Sequence, residues 1–140
     1  MQILVVEDEA LVAQDIEATL RSAGVEVYAA AGTDEALSLA ERTEFDLALL
    51  DVRLGYGESG LMLAEMLLDR HAVPSLLLTG MGELPDHIGA FALGVLAKPF
   101  TPGDLVSAVQ AVRAALTGGP VPAGPAGLTL FTERVTAGRG

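Results

Sequence analysis

The chain has 140 residues, enough for one domain with its own core. Nineteen acidic against eight basic residues leave a net charge of −11, which repels nucleic-acid phosphate, and no basic cluster offsets it. A hydrophobic content of 51% argues against disorder, and the lack of cysteine excludes disulfides and thiol chemistry. No apolar run approaches the ~18 residues that a membrane span requires. Met1-Gln2 leads directly into Ile3-Leu4-Val5-Val6 without a basic n-region, so no signal peptide is expected and the cytoplasm is the simplest compartment.

In chain order, Ile3 to Val6 is a short buried strand that stops at Glu7-Asp8-Glu9. A helix follows over about Ala10 to Ala23, with Val12, Ile16 and Leu20 on one face and Gly24 as a C-cap candidate. Val25 to Ala30 reads as the second strand, and Thr33-Asp34-Glu35 opens a second helix with N-cap chemistry. Leu47 to Leu50 is the third strand, ending on Asp51, followed by the loop Gly55 to Gly60 and a third helix over Leu61 to Arg70. Val73-Pro74 marks a boundary, because the residue before proline avoids the helical region. Ser75 to Thr79 is the fourth strand, then come a loop over Gly80 to Pro85 and a short, weak helix around Asp86 to Phe91. Gly94 to Ala97 is the fifth strand, ending at Lys98-Pro99, and a last helix starts at Pro102-Gly103-Asp104, with Leu105, Val109, Val112 and Leu116 in helical spacing.

Five strands alternating with five helices predict an α/β fold, a flavodoxin-like (βα)5 three-layer sandwich around a parallel five-stranded sheet of order 2-1-3-4-5. Residues 1–116 make this domain. Residues 117–140 form a Gly/Pro-rich linker and a C-terminal tail. Leu128 to Val135 has strand character, so an arm that adds a strand is conceivable, but with no core following it a frayed tail is the favoured reading.

Right-handed crossovers would bring the tips of strands 1, 3, 4 and 5 to one edge of the sheet. Each carries a polar group: Glu7-Asp8, Asp51, Thr79 and Lys98. Singly, each has a plain explanation as a helix N-terminus, a cap, β-propensity or a turn. Together they place three carboxylates where they repel one another and invite a hard divalent cation such as Mg²⁺. Lys98 is the only lysine, and it can pair with Asp51. The arrangement suits phosphoryl transfer to the Asp51 carboxylate, with charge neutralised by the metal and Lys98 and with Thr79 and Lys98 gripping the new oxygens. His71 and His87 are isolated and read as surface residues.

The segments Val5-Val6-Glu7-Asp8-Glu9, Leu49-Leu50-Asp51-Val52-Arg53, Leu78-Thr79-Gly80 and Leu96-Ala97-Lys98-Pro99-Phe100 resemble the receiver domain of two-component response regulators over residues 1–116. The resemblance implies a phosphoacceptor at Asp51, with Thr79 and Lys98 sensing the phosphoryl group. It implies Mg²⁺ held by Asp8, Asp51 and the main-chain carbonyl of Arg53, with Glu7 assisting. It also implies a cis Lys98-Pro99 bond, and a phosphoryl donor that is a sensor histidine kinase or a histidine phosphotransfer protein. Such a domain is not an enzyme beyond self-phosphorylation and self-dephosphorylation, and Arg53 and Met81 flank the approach of water. It signals through a downstream protein partner or a phosphorelay, and a homodimer is left open.

Departures from the family pattern point to the output. Many receivers carry an aromatic residue three positions before the lysine, where this chain has Val95. The segment from Thr79 to Lys98 is short, so a reduced fourth helix is expected, and Gly55 replaces the usual proline in a loop one residue longer than usual. Ser75-Leu-Leu-Leu-Thr-Gly-Met-Gly82 partly resembles the Phe-Ala-Thr-Gly-Tyr-Gly signature of an atypical subgroup, fitting at Thr79, Gly80 and Gly82.

No output domain follows residue 116, so the expectation is a stand-alone receiver, with a phosphate sink or a fragment of a larger regulator as alternatives. An aspartyl-nucleophile phosphatase needs an acid two residues after Asp51, where Arg53 stands. A nucleotide binder needs a Gly-rich loop where Glu7-Asp8-Glu9 stands. A binding-only relative would not retain every site residue. Val106, Ala108 and Ala115, or Met62 and Met66, are candidates for a partner surface, with core packing as the competing explanation.

Overall fold

A computed structural model describes residues 1–54, 59–80, 84 and 86–131. The loop glycines Gly55 and Gly57, the motif residues Met81 and Gly82, and the end of the C-terminal apolar stretch at 132–135 lie outside them.

Five short strands, β1 (Gln2–Val6), β2 (Glu26–Ala30), β3 (Leu47–Asp51), β4 (Ser75–Thr79) and β5 (Gly94–Ala97), alternate with helical segments. Those segments are α1 (Ala10–Ser22), α2 (Thr33–Arg42), α3 (Gly60–His71), a 3-10 turn (Asp86–Ala90) and α4 (Pro102–Thr117). The five strands are parallel in the order 2-1-3-4-5, as expected.

The short, reduced fourth helix that the sequence predicts is a single 3-10 turn, because Gly89 and the flanking Gly and Pro residues leave no run long enough to nucleate an α-helix. The expected frayed tail instead supplies β6 (Leu128–Leu130), which pairs antiparallel with β5 and makes the sheet six-stranded, β2-β1-β3-β4-β5-β6. The backbone groups on the outer side of β5 are satisfied in this way.

Strand alternation sorts the core into two layers. Leu4, Val6, Ala48, Leu50 and Leu77 face α2 and α3, meeting Ala36, Ala40, Leu63, Ala64 and Leu67. Ile3, Val5, Leu47, Leu49, Leu76, Leu78 and Leu96 face α1 and α4, meeting Ile16, Leu20, Leu105, Ala108, Val109 and Val112. Every residue of β3 is buried, which is why that strand reads as an unbroken apolar run up to its terminal acid.

Local chemistry sets the helix ends. Ser59 caps α3 by accepting a hydrogen bond from the Leu61 N–H. Thr101 and Asp104 form a reciprocal capping box at the start of α4, with Pro102 in the first turn. The helix ends at Gly118, whose φ of 79° lies in the left-handed region open to glycine. Of the proposed surface residues, Ala108 and Ala115 are core and Met66 packs against the first layer, so only Met62 is broadly exposed and Val106 half-buried.

Leu50 and Leu77 are fully buried neighbours in the β3–β4 register. Leu50→Ala is expected to lower unfolding free energy by about 2–5 kcal/mol, read as a shifted urea midpoint with an unchanged m-value.

Candidate functional site

The parallel register carries the site. Val6 pairs with Leu50, so Glu7 follows β1 beside Asp51, the last residue of β3. Thr79 pairs with Ala97, and the next residue, Lys98, donates its backbone N–H to the Thr79 carbonyl at 2.7 Å. Four consecutive strand tips thus converge, as the topology predicts for a sheet whose functional groups gather at its carboxyl ends.

Lys98 Nζ lies 2.9 Å from Asp51 Oδ2 and 3.8 Å from Glu7 Oε2, a hydrogen-bonded ion pair and a looser one. Asp51 Oδ1 accepts the Arg53 N–H at 2.9 Å, and Glu7 Oε1 accepts the Glu9 N–H at 3.2 Å. Glu7 is 3% exposed and Asp51 8%, whereas Asp8 faces solvent. One carboxylate oxygen from each of Glu7, Asp8 and Asp51 falls within a cluster 4.8 Å across. The buried Glu7 Oε2 has no hydrogen-bond partner. Three converging oxygen donors and an orphaned buried oxygen fit a hard, oxygen-ligated cation.

The two buried acids titrate apart. Burial, followed by the neighbouring Asp51 carboxyl, pushes Glu7 up to about 7, against the lowering effect of the Glu9 N–H and Lys98. Burial also raises Asp51, but the adjacent Glu7 carboxyl, the Lys98 ammonium and the Arg53 N–H together outweigh it and hold Asp51 below the usual carboxylate range. Asp51 is therefore the ionised member of the pair at neutral pH, held by one ammonium and one backbone N–H.

Two features under and beside the site were not read from the residues. Gly60, the first residue of α3, sits directly against the main-chain carbonyl of Asp51, where any Cβ would collide. Its place at the end of a Gly-rich loop was the only available signal. An open, mainly apolar groove next to Lys98 is lined by Val12, Ile16, Thr19, Pro99, Phe100 and Leu105. Its residues come from α1, the β5–α4 connection and the first turn of α4, a combination that local sequence does not reveal. The Lys98-Pro99 peptide is cis. His87 is exposed beside the Phe91 ring and His71 is half-buried, and neither belongs to the acidic cluster.

The model of the response regulator receiver domain family matches residues 3–110. The chain belongs to that family. A receiver is a phosphoacceptor signalling module of two-component systems rather than a catalytic enzyme, and the acidic pocket of this receiver is Glu7, Asp8 and Asp51. Among similar proteins, the regulatory protein VanR of Enterococcus faecium is 34% identical over 113 residues, 79% of this chain and 48% of the relative. The receiver spans about half the length of the curated relatives it matches. A solved structure of a putative response regulator from Chloroflexus aurantiacus is 35% identical, with a TM-score of 0.71 over 81% of this chain and 97% of that one. The chemotaxis response regulator CheY4 of Vibrio cholerae is 30% identical, with a TM-score of 0.69 over 78% of this chain and 95% of that one. No helix among the described residues of this receiver is long and apolar enough to cross a membrane.

Because the proton affinity of Glu7 is higher folded, at about 7, than its ordinary value of 4.5, folding is favoured by protonated Glu7. In chelator-treated protein, stability is expected to fall as pH rises from about 4.5 to about 7 and then to level off. The size is on the order of 3 kcal/mol. Glu7→Gln should flatten that segment of the profile in pH-dependent urea titrations. An identical profile in the variant would count against the assignment.

Proposed function

We propose that this receiver accepts a phosphoryl group on Asp51 from a phosphohistidine and relays the event by protein contact. The single observation that carries the reading is the Lys98–Asp51 ion pair beside Glu7 and Asp8, which keeps one buried carboxylate ionised amid a surplus of negative charge. An Asp51 oxygen attacks phosphorus as the bond to the donor imidazole nitrogen breaks, and that electron pair stays with the imidazole. Lys98 offers its ammonium to the negative charge on the transferring oxygens, and Thr79, at the adjacent strand tip, supplies a hydroxyl within the same edge. Asp8, Asp51 and the main-chain carbonyl of Arg53 would hold Mg²⁺, with Glu7 assisting. When bound, the ion would supply positive charge that offsets the negative charge of the phosphoryl and carboxylate oxygens. Arg53 stands where an aspartyl phosphatase would place an acid two residues after its nucleophile, which argues against turnover of phosphomonoesters.

The donor would be a sensor histidine kinase or a histidine phosphotransfer protein in the cytoplasm. The apolar groove between α1 and the β5–α4 connection opens beside Lys98 and suits a helix that presents its histidine to Asp51. Residues 1–116 would be the receiver and 117–140 an appended segment. The chain would act alone, as a phosphate sink, or as the receiver of a larger regulator. The single 3-10 turn before β5, the valine at position 95 and the partial Thr79-Gly80 signature support a place in the atypical subgroup.

With acetyl phosphate and Mg²⁺, intact-mass spectrometry is expected to show one added phosphoryl group, and Asp51→Asn or excess chelator should abolish it. Lys98→Ala should slow the uptake about tenfold or more. Uptake by Asp51→Asn equal to the wild type would sink the assignment, as would failure of the wild type with every donor, kinases included.

A further inference from the structure

We propose that the outer edge of β5 is a docking site for an extended protein segment that adds to the sheet as an antiparallel strand, and that residues 127–131 occupy it in cis as a removable strap. The inference stands apart from the phosphoacceptor reading, since it rests on the opposite side of β5 from β4.

The built features of the edge are specific. Gly94 pairs with Leu130, Val95 with Thr129 and Leu96 with Leu128. The Ala97 N–H donates to the Gly127 carbonyl at 3.0 Å, and the Phe131 N–H donates to the Leu93 carbonyl at 2.8 Å. The strap therefore satisfies the β5 edge from end to end, beginning one residue from Lys98. Gly94 is what admits it: a Cβ there would collide with the Thr129 carbonyl and lie 3.1 Å from Leu130 Cα. All three of its close neighbours belong to the strap.

Side chains define the chemistry of the occupant. Leu128 and Leu130 pack on the layer beneath α1 and α4. Phe131 points to the other layer, where Val95 also packs, and lies against Gly89 of the 3-10 turn. The edge thus selects two apolar residues at alternate positions followed directly by an aromatic one. That is the pattern of main-chain pairing with alternating side-chain pockets by which sheet edges take up peptides.

The strap is the weakest-held strand of the sheet. It is three residues long, pairs with one neighbour only, and has no fully buried residue. It is tethered by the Gly/Pro-rich residues 118–127, most of them exposed. Short strands with few buried contacts open at low free-energy cost. By contrast, β5 is paired with β4 at all four positions and stays in place when the strap leaves.

The test uses the full chain and, as probe, a labelled synthetic peptide of residues 125–133. Leu128→Asp/Leu130→Asp should undock the strap and leave the edge free, which hydrogen exchange reads as lost protection at the Ala97 and Phe131 amides. This variant should bind the peptide by fluorescence anisotropy at least about tenfold more tightly than the wild type, because a site occupied nine times in ten lowers apparent affinity tenfold. Gly94→Val should undock the strap and also block the edge, so it should lose amide protection and bind no peptide. A scrambled peptide should bind neither. The proposal is overturned if the Leu128/Leu130 variant binds no better than the wild type, if its amide protection is unchanged, or if Gly94→Val binds as well as that variant. A wild-type dimer by light scattering with intact protection at Ala97 would assign the edge to a second copy and likewise overturn the cis strap.

Discussion

The structure depends on one ammonium among three acids. Lys98 Nζ sits 2.9 Å from Asp51 and 3.8 Å from Glu7, at the tip of the five parallel strands of the sheet. Bringing Glu7 and Asp51 together below solvent costs free energy that burial alone would not return. Two local devices reduce that cost. The Arg53 and Glu9 N–H groups each donate to a carboxylate, and Glu7 binds its proton more strongly while Asp51 stays ionised. With Asp8 nearby in solvent, negative charge still exceeds positive, and the pocket has an electrostatic reason to take up a cation or to hold one while a phosphoryl group arrives.

The scaffold exists to hold that geometry. Parallel pairing between β1, β3, β4 and β5 sets the four tips side by side, and the two apolar layers lock each strand in register, since a one-residue slip would exchange the layers. Gly60 lets α3 start hard against the Asp51 carbonyl, so the backbone that carries Asp51 is clamped between β4 and a helix N-terminus. The Val52 N–H donates to the Leu78 carbonyl and the Gly60 N–H to the Val52 carbonyl, which extends the clamp past the end of the strand.

The legible parts of the sequence are those with strong local signals. Apolar runs of four or five residues marked the strands, and a polar residue closing four of the five runs marked the candidate site, because a charge at the end of a buried strand has few structural explanations. The parallel order followed from strand–helix alternation and handedness. What escaped depends on distant residues. Leu128 to Leu130 is a strand because Gly94, more than thirty positions earlier, leaves room for its backbone. The groove beside Lys98 joins residues of α1 to the β5–α4 connection and the first turn of α4, and Met66 packs against the core where Met62, four residues earlier, is exposed, a difference that helical spacing does not give.

The valine at position 95 and the phenylalanine at position 131 belong in one argument. Receivers commonly place a large aromatic side chain on β5, and here that strand offers only Val95 to the layer beside the 3-10 turn. Phe131 enters the same layer from β6 and rests on Gly89. An aromatic residue on β5 would be fixed to the strand that carries Lys98. Phe131, directly after β6, is held by that strand's three backbone pairings and a Gly/Pro-rich tether, so it can leave while β5 stays. The aromatic contribution to this face is thus detachable in this chain, and its occupancy is set by the edge of β5 rather than by a side-chain rotation within it.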